Sequence, residues 1–187
     1  MGRWEPNTRE RLARAAVELF GERGYEQTTV AEIARRAGLT ERTYFRHYAD
    51  KREVLFGGAE ALREVFTRAV AEAPAAAAPI DVMAAGLVAI AAVFPERGTA
   101  RQRQSVVGSH PELQERELIK LATLAAAVTE ALRARGVPDP AAALAAEAGI
   151  AVFKVGYERW IAPAEERELP DLLRESLSEL KAVAAGG

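Results

Sequence analysis

The sequence predicts an all-α protein, on three observations. Alanine, the residue with the highest helix propensity, accounts for 40 of the 187 residues, whereas only 12 are aromatic. The residue types that favour strands are a clear minority. Helix start signals recur through the first third of the chain, and Pro and Gly bracket several later segments. The length fits one domain, or one domain with a small appendage.

The charge is distributed unevenly along the chain. The formal net charge is −2, but residues 1–52 carry eleven Lys and Arg against eight Asp and Glu, a net charge of +3. Residues 53–187 carry 14 basic and 19 acidic residues, a net charge of −5. A small basic segment joined to a larger acidic one suggests that the first part faces an anion such as DNA and the second does not.

Composition excludes several classes of site. Without cysteine the chain has no disulfide, no thiolate nucleophile and no sulfur-ligated zinc, and its two histidines cannot form a three-histidine centre. No phosphate-cradling glycine loop or nucleophile elbow is present. The longest uncharged apolar stretch, residues 82–95, is 14 residues long, too short to span a bilayer. We therefore expect a cytoplasmic protein with no metal, no cofactor and no membrane partner.

Capping boxes define the first helices. Asn7, Thr29 and Asp50 each stand three residues before a glutamate, the pattern in which the two side chains satisfy the free amides of a helix start. The first box starts a helix that ends at Gly24. The second starts a short helix that ends at Gly38. The third starts a longer helix that continues through Leu55, Leu62, Phe66 and Val70.

A further short helix, 40–48, follows the Gly38 turn, and the pair 30–37 and 40–48 has the layout of a helix-turn-helix. Ala34 is small enough for the two helices to cross closely, and Gly38 can adopt the positive φ that the turn needs. The residues expected to fill the wedge between the helices are Ile33, Ala37, Leu39, Tyr44 and Tyr48. An ordinary helical hairpin is the alternative interpretation.

Burial of the two tyrosines turns a second set of side chains outward, namely Glu41, Arg42, Phe45 and Arg46. Each arginine can give a guanine two hydrogen bonds, and Phe45 can contact a thymine methyl group. Glu41 can accept from a cytosine amine or cap the helix start. Side chains placed to contact phosphates are Thr29, Thr40, Thr43, His47 and Lys51; for His47, a solvated side chain is an equal alternative.

Beyond residue 70 every segment again has a helical pattern. The Ala- and Pro-rich run 71–80 ends a helix and is interpreted as a seam. Helices are predicted near 81–94, 99–108, 111–135, 140–161 and 170–185. We predict two domains, a DNA-binding domain over 1–52 and a C-terminal domain over 53–187 for ligand binding and dimerisation.

The predicted helix 140–161 carries two apolar stripes. One consists of small residues, including Ala145, Ala148, Val152 and Gly156, and permits the close approach of another helix, which we expect to be its counterpart across a two-fold axis. Leu173, Leu177 and Leu180 of the last helix would join this dimer interface. The bulkier stripe, which contains Phe153, Tyr157 and Trp160, would face the core or a pocket. In the alternative, both stripes serve the core of a monomer.

These motifs resemble the DNA-binding domain of the TetR family of bacterial transcription regulators. The resemblance covers residues 7–56 and lies in Thr29–Ala34, Ala37–Thr40, Thr43–Tyr48 and Lys51. It implies an all-helical homodimer that binds a palindromic operator. It also implies a larger C-terminal domain that binds a small ligand and thereby releases the DNA, so we expect a repressor.

The C-terminal part resembles TetR members with an acyl-CoA-type ligand-binding domain, through residues 109–117, 131–136 and 157–160. The expected effector is therefore small and apolar or acyl-CoA-like, lined by Phe94, Phe153, Tyr157 and Trp160. Arg97 and Arg101, with Arg103, could meet the phosphates of such a ligand, although a solvated helix face is the simpler interpretation. Two other functions stay open: a DNA-binding regulator controlled by a partner protein, and an acyl-binding enzyme or carrier.

Overall fold

A computed structural model describes residues 8–186, which fold into nine α-helices without a β-strand. This confirms the predicted fold class. The helices are α1 (Thr8–Arg23), α2 (Val30–Arg36), α3 (Glu41–His47), α4 (Ala59–Glu72), α5 (Pro79–Ala91), α6 (Arg97–Gly108), α7 (Pro111–Ala134), α8 (Asp139–Ile161) and α9 (Leu169–Ala184).

The predicted caps form at the starts of the short helices. At α2 the Thr29 hydroxyl accepts from the Glu32 backbone N–H at 3.3 Å, and the Glu32 carboxylate accepts from the Thr29 backbone N–H at 2.9 Å, which completes the capping box. At α3 the Thr40 hydroxyl accepts from the Thr43 N–H at 3.2 Å. The Asn7 cap lies outside the described residues.

The helix predicted from Asp50 through Val70 is wrong, because the chain is interrupted by two adjacent glycines. Asp50 does accept from the N–H groups of Arg52 and Glu53, at 2.8 and 3.1 Å, but they start only a 3₁₀ turn, Arg52–Phe56. A Cβ at Gly57 would lie 2.6 Å from the Tyr48 hydroxyl, so the chain passes too close to that ring for a side chain. Helix α4 begins only after this turn.

The first compact unit contains the described residues up to Ala59 together with Gly98–Glu117. Val106, Val107 and Leu113 are buried in the same core as the inner faces of α1 to α3 and the 3₁₀ turn. Arg103 reinforces this packing by donating to the Leu55 carbonyl at 2.8 Å, and Arg116 pairs with Glu53 at 2.6 Å. The packing unit therefore extends beyond the predicted boundary at residue 52 and takes in a segment from the middle of the chain.

The second compact unit contains Glu60–Arg97 and the described residues from Leu118 onwards. Its core is formed where α5, α8 and α9 pack together. A Cβ at Gly86 of α5 would lie 1.7 Å from the ring of Phe66, and a Cβ at Gly156 of α8 would lie 2.6 Å from Leu173 of α9. The run 71–80 lies wholly inside this unit, as the end of α4, a six-residue loop over 73–78 and the start of α5, so the two units do not divide there.

The contact between α8 and α9 within one chain bears on the predicted dimer interface. Within a single chain, α8 and α9 already contact each other through Gly156 and Leu173. Side chains buried in this way have no surface to offer a second copy; they are Ala145, Val152, Gly156, Leu173 and Leu177, whereas Ala148 and Leu180 are half-buried. Most of the small stripe is therefore used for packing within one chain, and its part in a dimer stays a prediction.

Candidate nucleic-acid interface

The turn between α2 and α3 fixes the position of α3. Gly38 has φ +68°, the left-handed conformation that favours glycine, and the Leu39 N–H donates to the Ala34 carbonyl at 2.8 Å. Arg11 of α1 donates to the Ala37 carbonyl at 2.6 Å, and a Cβ at Gly38 would lie 3.1 Å from the same guanidinium. The turn is therefore closed by backbone conformation and by a side chain from α1.

The inner face of α3 is anchored by two tyrosines. Tyr44 and Tyr48 are buried, and Ile33 and Ala34 of α2 are buried in the same core. The Tyr44 hydroxyl donates to the Asp50 carbonyl and the Tyr48 hydroxyl to the Arg9 carbonyl, each at 3.2 Å. Burial raises the pKa of both phenols, so both stay neutral donors. These contacts leave one rotational setting for α3.

The opposite face of α3 is exposed, as the sequence predicts. Glu41, Arg42 and Arg46 are exposed to solvent, and Phe45 keeps 53% of its surface accessible. The outer face of α3 therefore carries two arginines, one glutamate and one phenylalanine. We call Glu41, Arg42, Phe45 and Arg46 the reading face; their contacts with bases stay a prediction.

The threonines predicted to contact phosphates lie at helix starts and already serve as caps. Thr29 is exposed and its hydroxyl bonds the Glu32 carboxylate at 2.9 Å. Thr40 is exposed, and its hydroxyl lies 3.1 Å from that of half-buried Thr43. Because a hydroxyl both donates and accepts, a phosphate contact at these positions is compatible with capping.

Lys51 is held in place by a residue that sequence reasoning missed. Its ammonium donates to the Tyr25 carbonyl at 2.9 Å and lies 4.1 Å from the centroid of the Tyr25 ring. Burial raises the pKa of Tyr25 to about 12. An ammonium has three N–H donors, so this anchoring leaves donors for a phosphate. Tyr25 is 26 residues from Lys51, and no local spacing could have indicated the contact.

His110 supports the same cluster from the α6–α7 corner. Its ring packs edge-on against Tyr25, with 5.0 Å between ring centroids, and its Nδ1 lies 2.8 Å from the Val106 carbonyl. This placement agrees with a structural role for His110 at the start of α7, with its backbone carbonyl accepting from Leu113 and Gln114. Lys51, Tyr25 and His110 thus form one contact cluster within the first unit.

His47 lies at the end of α3 in a mainly cationic environment. Desolvation lowers the pKa of its imidazole, and the nearby Arg46 and Arg9 lower it further. Within residues 8–186 its buried Nε2 has no hydrogen-bond partner. The phosphate contact of His47 stays a prediction.

The four aromatic residues predicted to line a ligand site come together in the second unit. Phe94 lies 5.6 Å from Phe153, 5.5 Å from Tyr157 and 6.1 Å from Trp160, measured between ring centroids. The last three are buried along one face of α8, and Phe94 comes from the connection between α5 and α6. Their role in binding a ligand stays a prediction.

The arginines predicted to meet ligand phosphates are engaged elsewhere. Arg97 donates to the carbonyls of Glu165 and Arg167 and lies 5.6 Å from the Trp160 ring, so it clamps the α8–α9 loop. Arg103 is bonded to Leu55 and Glu117 in the first unit. Arg101 is exposed on α6, also in the first unit. Arg97 and Arg103 thus have partners of their own within the chain, and the contact of Arg97 and Arg101 with a ligand stays a prediction.

In the described part of the chain, no group of three or more His, Cys, Asp and Glu side chains could hold a metal ion. None of the described helices is both long and apolar enough to cross a membrane.

Comparison with known protein families identifies the family of the chain that carries this reading face. The model of bacterial regulatory proteins of the tetR family matches residues 12–56, which contain the whole helix-turn-helix. The model of the MftR C-terminal domain matches residues 77–185, more than half of the chain. The chain belongs to the TetR family. It is a transcriptional regulator, and because members of this family are not enzymes, the enzyme alternative is excluded.

Individual relatives of this TetR-family regulator agree with that assignment. It is 41% identical to the transcriptional regulator TcmR of Streptomyces glaucescens over 83 residues, 44% of the chain and 37% of TcmR. The matched segment thus spans little more than a third of that relative. TetR-family regulators bind DNA, act as dimers and are typically ligand-responsive repressors.

Solved structures show that the TetR fold extends over nearly the whole chain. A TetR-family regulator from Syntrophomonas wolfei superposes with a TM-score of 0.67 and 18% identity, covering 95% of each chain. FadR from Bacillus subtilis, solved in complex with stearoyl-CoA, superposes with a TM-score of 0.59 and 21% identity, covering 91% of this chain and 96% of FadR. At these identities the likeness establishes the fold and not the ligand.

Proposed function

We propose that this TetR-family regulator is a cytoplasmic repressor that binds a palindromic operator as a homodimer and is released by a small apolar or acyl-CoA-like ligand. The observation that carries the DNA-binding part is the reading face. Arg42, Phe45 and Arg46 are exposed on a seven-residue helix whose other face is fixed by Tyr44 and Tyr48. A helix held in this way can enter the major groove without reorganising.

The roles of the side chains follow from their chemistry. Arg42 and Arg46 read guanines through paired hydrogen bonds, and Phe45 contacts a thymine methyl group. Lys51, anchored by Tyr25, and the caps at Thr29 and Thr40 contact phosphates and fix the register of α3 on the duplex.

Dimerisation uses a stripe of α8 that shares only Ala148 with the stripe predicted from sequence. Leu144 keeps 71% of its surface exposed and Val155 keeps 48%. Between them lie half-buried Ala148 and exposed Ala151, so the four residues form one stripe at helical spacing. We call them the outer stripe of α8. A second copy that covers this stripe would form a two-fold symmetric dimer, which matches the two-fold symmetry of a palindromic operator.

Ligand control is supported by the aromatic cluster and by the family. Phe94, Phe153, Tyr157 and Trp160 concentrate most of the aromatic surface of the second unit at one place. FadR of Bacillus subtilis, similar in fold, binds stearoyl-CoA. A ligand can release DNA only if it prefers the arrangement of the dimer in which the two α3 helices no longer match the grooves.

Selection from a randomised duplex pool tests the DNA-binding proposal. The protein should enrich a palindrome with half-sites about one helical turn apart, and anisotropy with the selected duplex should give an affinity at least about a thousandfold above that for a scrambled duplex. Enrichment of a single half-site, or of nothing at low ionic strength, would contradict the proposal.

Sedimentation of two charge-introducing variants tests the dimer surface. Leu144→Glu places a carboxylate in the outer stripe and should convert the dimer to monomers at micromolar concentration, since an unpaired buried charge is costly. Leu118→Glu is the matched control, because Leu118 is also exposed, at 59%, but lies on α7. If Leu118→Glu dissociates the dimer and Leu144→Glu does not, the outer stripe is not the interface.

Thermal melting with CoA, stearic acid and stearoyl-CoA tests ligand control. A ligand that binds the folded state raises the midpoint in proportion to the logarithm of its concentration. The proposal expects at least one of these three ligands to raise the midpoint and to release the operator, which lowers the anisotropy of the labelled duplex. A regulator controlled by a partner protein would show neither effect.

A further inference from the structure

The indole N–H of Trp160 is buried without a hydrogen-bond acceptor. Trp160 is 96% buried, and no acceptor lies within bonding distance of Nε1 in the part of the chain that the structure describes. Buried indole N–H groups usually have a partner, since leaving one unpaired forfeits its hydrogen bond to water. The missing acceptor therefore marks a place where an added group would be favoured.

The Trp160 ring lies beside the rings of Phe94 and Tyr157 and beside one cation. The Tyr157 centroid lies 6.1 Å from that of Trp160 and 5.8 Å from that of Phe153, so the three residues follow one another along the buried face of α8. Arg97 covers Trp160 at 5.6 Å. We call Phe153, Tyr157 and Trp160 the aromatic cup.

The cup is filled by the ring of Phe94. This ring contacts all three rings of the cup and meets that of Trp160 edge-on, at an interplanar angle of 86°. Unlike the cup residues, Phe94 is only half-buried and lies outside any helix, between α5 and α6. Its backbone N–H makes a long hydrogen bond, 3.4 Å, to the Ala91 carbonyl. The ring is therefore held mainly by the contacts that a ligand could replace.

We propose that the aromatic cup binds a flat aromatic effector that carries a hydrogen-bond acceptor, and that this effector takes the place of the Phe94 ring. Its ring makes the contacts that Phe94 makes now, and its acceptor, a carbonyl or ether oxygen, receives the Trp160 N–H. The proposal rests on the ligand-responsive function argued above and names the ligand chemistry of that site. An aliphatic chain alone would leave the N–H unpaired.

The position of Phe94 gives such an effector a direct connection to the rest of the chain. Phe94 stands three residues before Arg97, which clamps the α8–α9 loop and begins α6. Directly after Arg97 the chain enters the segment that packs in the DNA-binding unit. Phe94 is therefore only three residues before the start of α6, the helix that carries Arg103 and its bond to the 3₁₀ turn.

Three probes of similar size separate the features of the proposed effector. Acetophenone has a phenyl ring and a carbonyl acceptor, ethylbenzene has the ring alone, and cyclohexyl methyl ketone has the acceptor alone. The sequence contains two tryptophans, at 4 and 160, so Trp4→Phe leaves one indole N–H signal in a ¹H–¹⁵N spectrum of the full chain. A hydrogen bond to an acceptor moves that proton signal downfield.

We expect acetophenone to shift the Trp160 indole signal downfield in a saturable manner and to bind more tightly than either of the other probes. Phe94→Ala should strengthen acetophenone binding by about tenfold or more, because no ring has to be displaced. Val93→Ala is the matched control, because Val93 is an exposed neighbour in the same connection. This variant should bind acetophenone as tightly as the parent protein does.

Trp160→Phe keeps an aromatic ring and removes the N–H. This second variant tests the proposal even if Phe94→Ala does not fold. In this variant, ligand-observed NMR should show acetophenone and ethylbenzene binding equally. Absence of saturable binding in both the parent and Phe94→Ala, or equal indole shifts with acetophenone and ethylbenzene, overturns the proposal. If the probes fail in this way but another ligand still releases the protein from its operator, the regulator function stands and the assignment of the aromatic cup is wrong.

Discussion

The two compact units of the chain are stabilised by different means. The first unit depends on short helices: α2 and α3 have seven residues each, a length that is not stable in isolation, and they are held by side-chain caps, a left-handed glycine and hydrogen-bonded tyrosines. The second unit depends on longer helices that approach closely where side chains are missing, at Gly86, Gly149 and Gly156. The first arrangement exposes a defined polar face, whereas the second encloses apolar surface.

The largest effect expected from this comparison separates the two faces of α3. Tyr44→Ala removes a fully buried ring and its bond to the Asp50 carbonyl, and should lower the free energy of unfolding by about 3–5 kcal/mol. Phe45→Ala, one position away and half exposed, should change it by less than about 0.5 kcal/mol while weakening operator binding.

Urea unfolding followed by circular dichroism, paired with anisotropy, measures both quantities. Equal losses of stability in Tyr44→Ala and Phe45→Ala would mean that the inner and outer faces of α3 are not as described.

A second prediction concerns close packing in the other unit. Gly86→Ala would place a Cβ 1.7 Å from the rigid, fully buried ring of Phe66, so we expect a loss of about 1–3 kcal/mol despite the better helix propensity of alanine. Gly149→Ala meets the flexible side chain of Met83 at 3.0 Å and should cost much less.

Adding Phe66→Leu to Gly86→Ala should restore part of the loss, because the smaller side chain makes room for the methyl group. Thermal unfolding of the parent, Gly86→Ala, Phe66→Leu and the double variant measures this coupling. Additive losses in the double variant would indicate that Gly86 and Phe66 do not constrain each other.

The smallest effect concerns protonation at the DNA interface. The pKa of His47 is lowered in the free protein, first by desolvation and then by Arg46 and Arg9, whereas a phosphate contact would raise it. Operator binding then takes up protons, so affinity should rise as the pH falls through the window between the lowered pKa of the free protein and the higher pKa of the complex. The slope should not exceed about one proton per subunit.

Anisotropy between pH 5.5 and 8 on His47→Gln and His110→Gln tests this, since these are the two histidines of the chain. Only His47→Gln should flatten the dependence of operator affinity on pH. An unchanged slope in that variant would place His47 away from the phosphates.

Sequence reasoning succeeded where structure is encoded locally. The capping box at Thr29, the left-handed Gly38 and the buried Tyr44 all follow from residues within a few positions of one another, and all three are present. Proline at the first turn likewise placed α7 and α8 to within a residue or two.

It failed where the partner is distant in sequence. Tyr25 anchors Lys51 across 26 residues, and Arg103 bonds Leu55 across 48. The small stripe of α8 has the same pattern whether it packs against another helix of the chain or against a second copy. Periodicity shows that a face is apolar, but it does not identify what covers that face.

The central claim is that Arg42 reads sequence from an exposed face, and a matched pair of arginine variants tests it most directly. Arg42→Ala and Arg36→Ala remove the same charge, but Arg36 lies on α2 and is paired with Glu22 at 2.7 Å. Anisotropy with the selected operator and a scrambled duplex, at several salt concentrations, measures both. The account predicts that Arg42→Ala weakens operator binding by about tenfold or more and leaves scrambled binding close to that of Arg36→Ala. Operator affinities that do not differ between the two variants would contradict it.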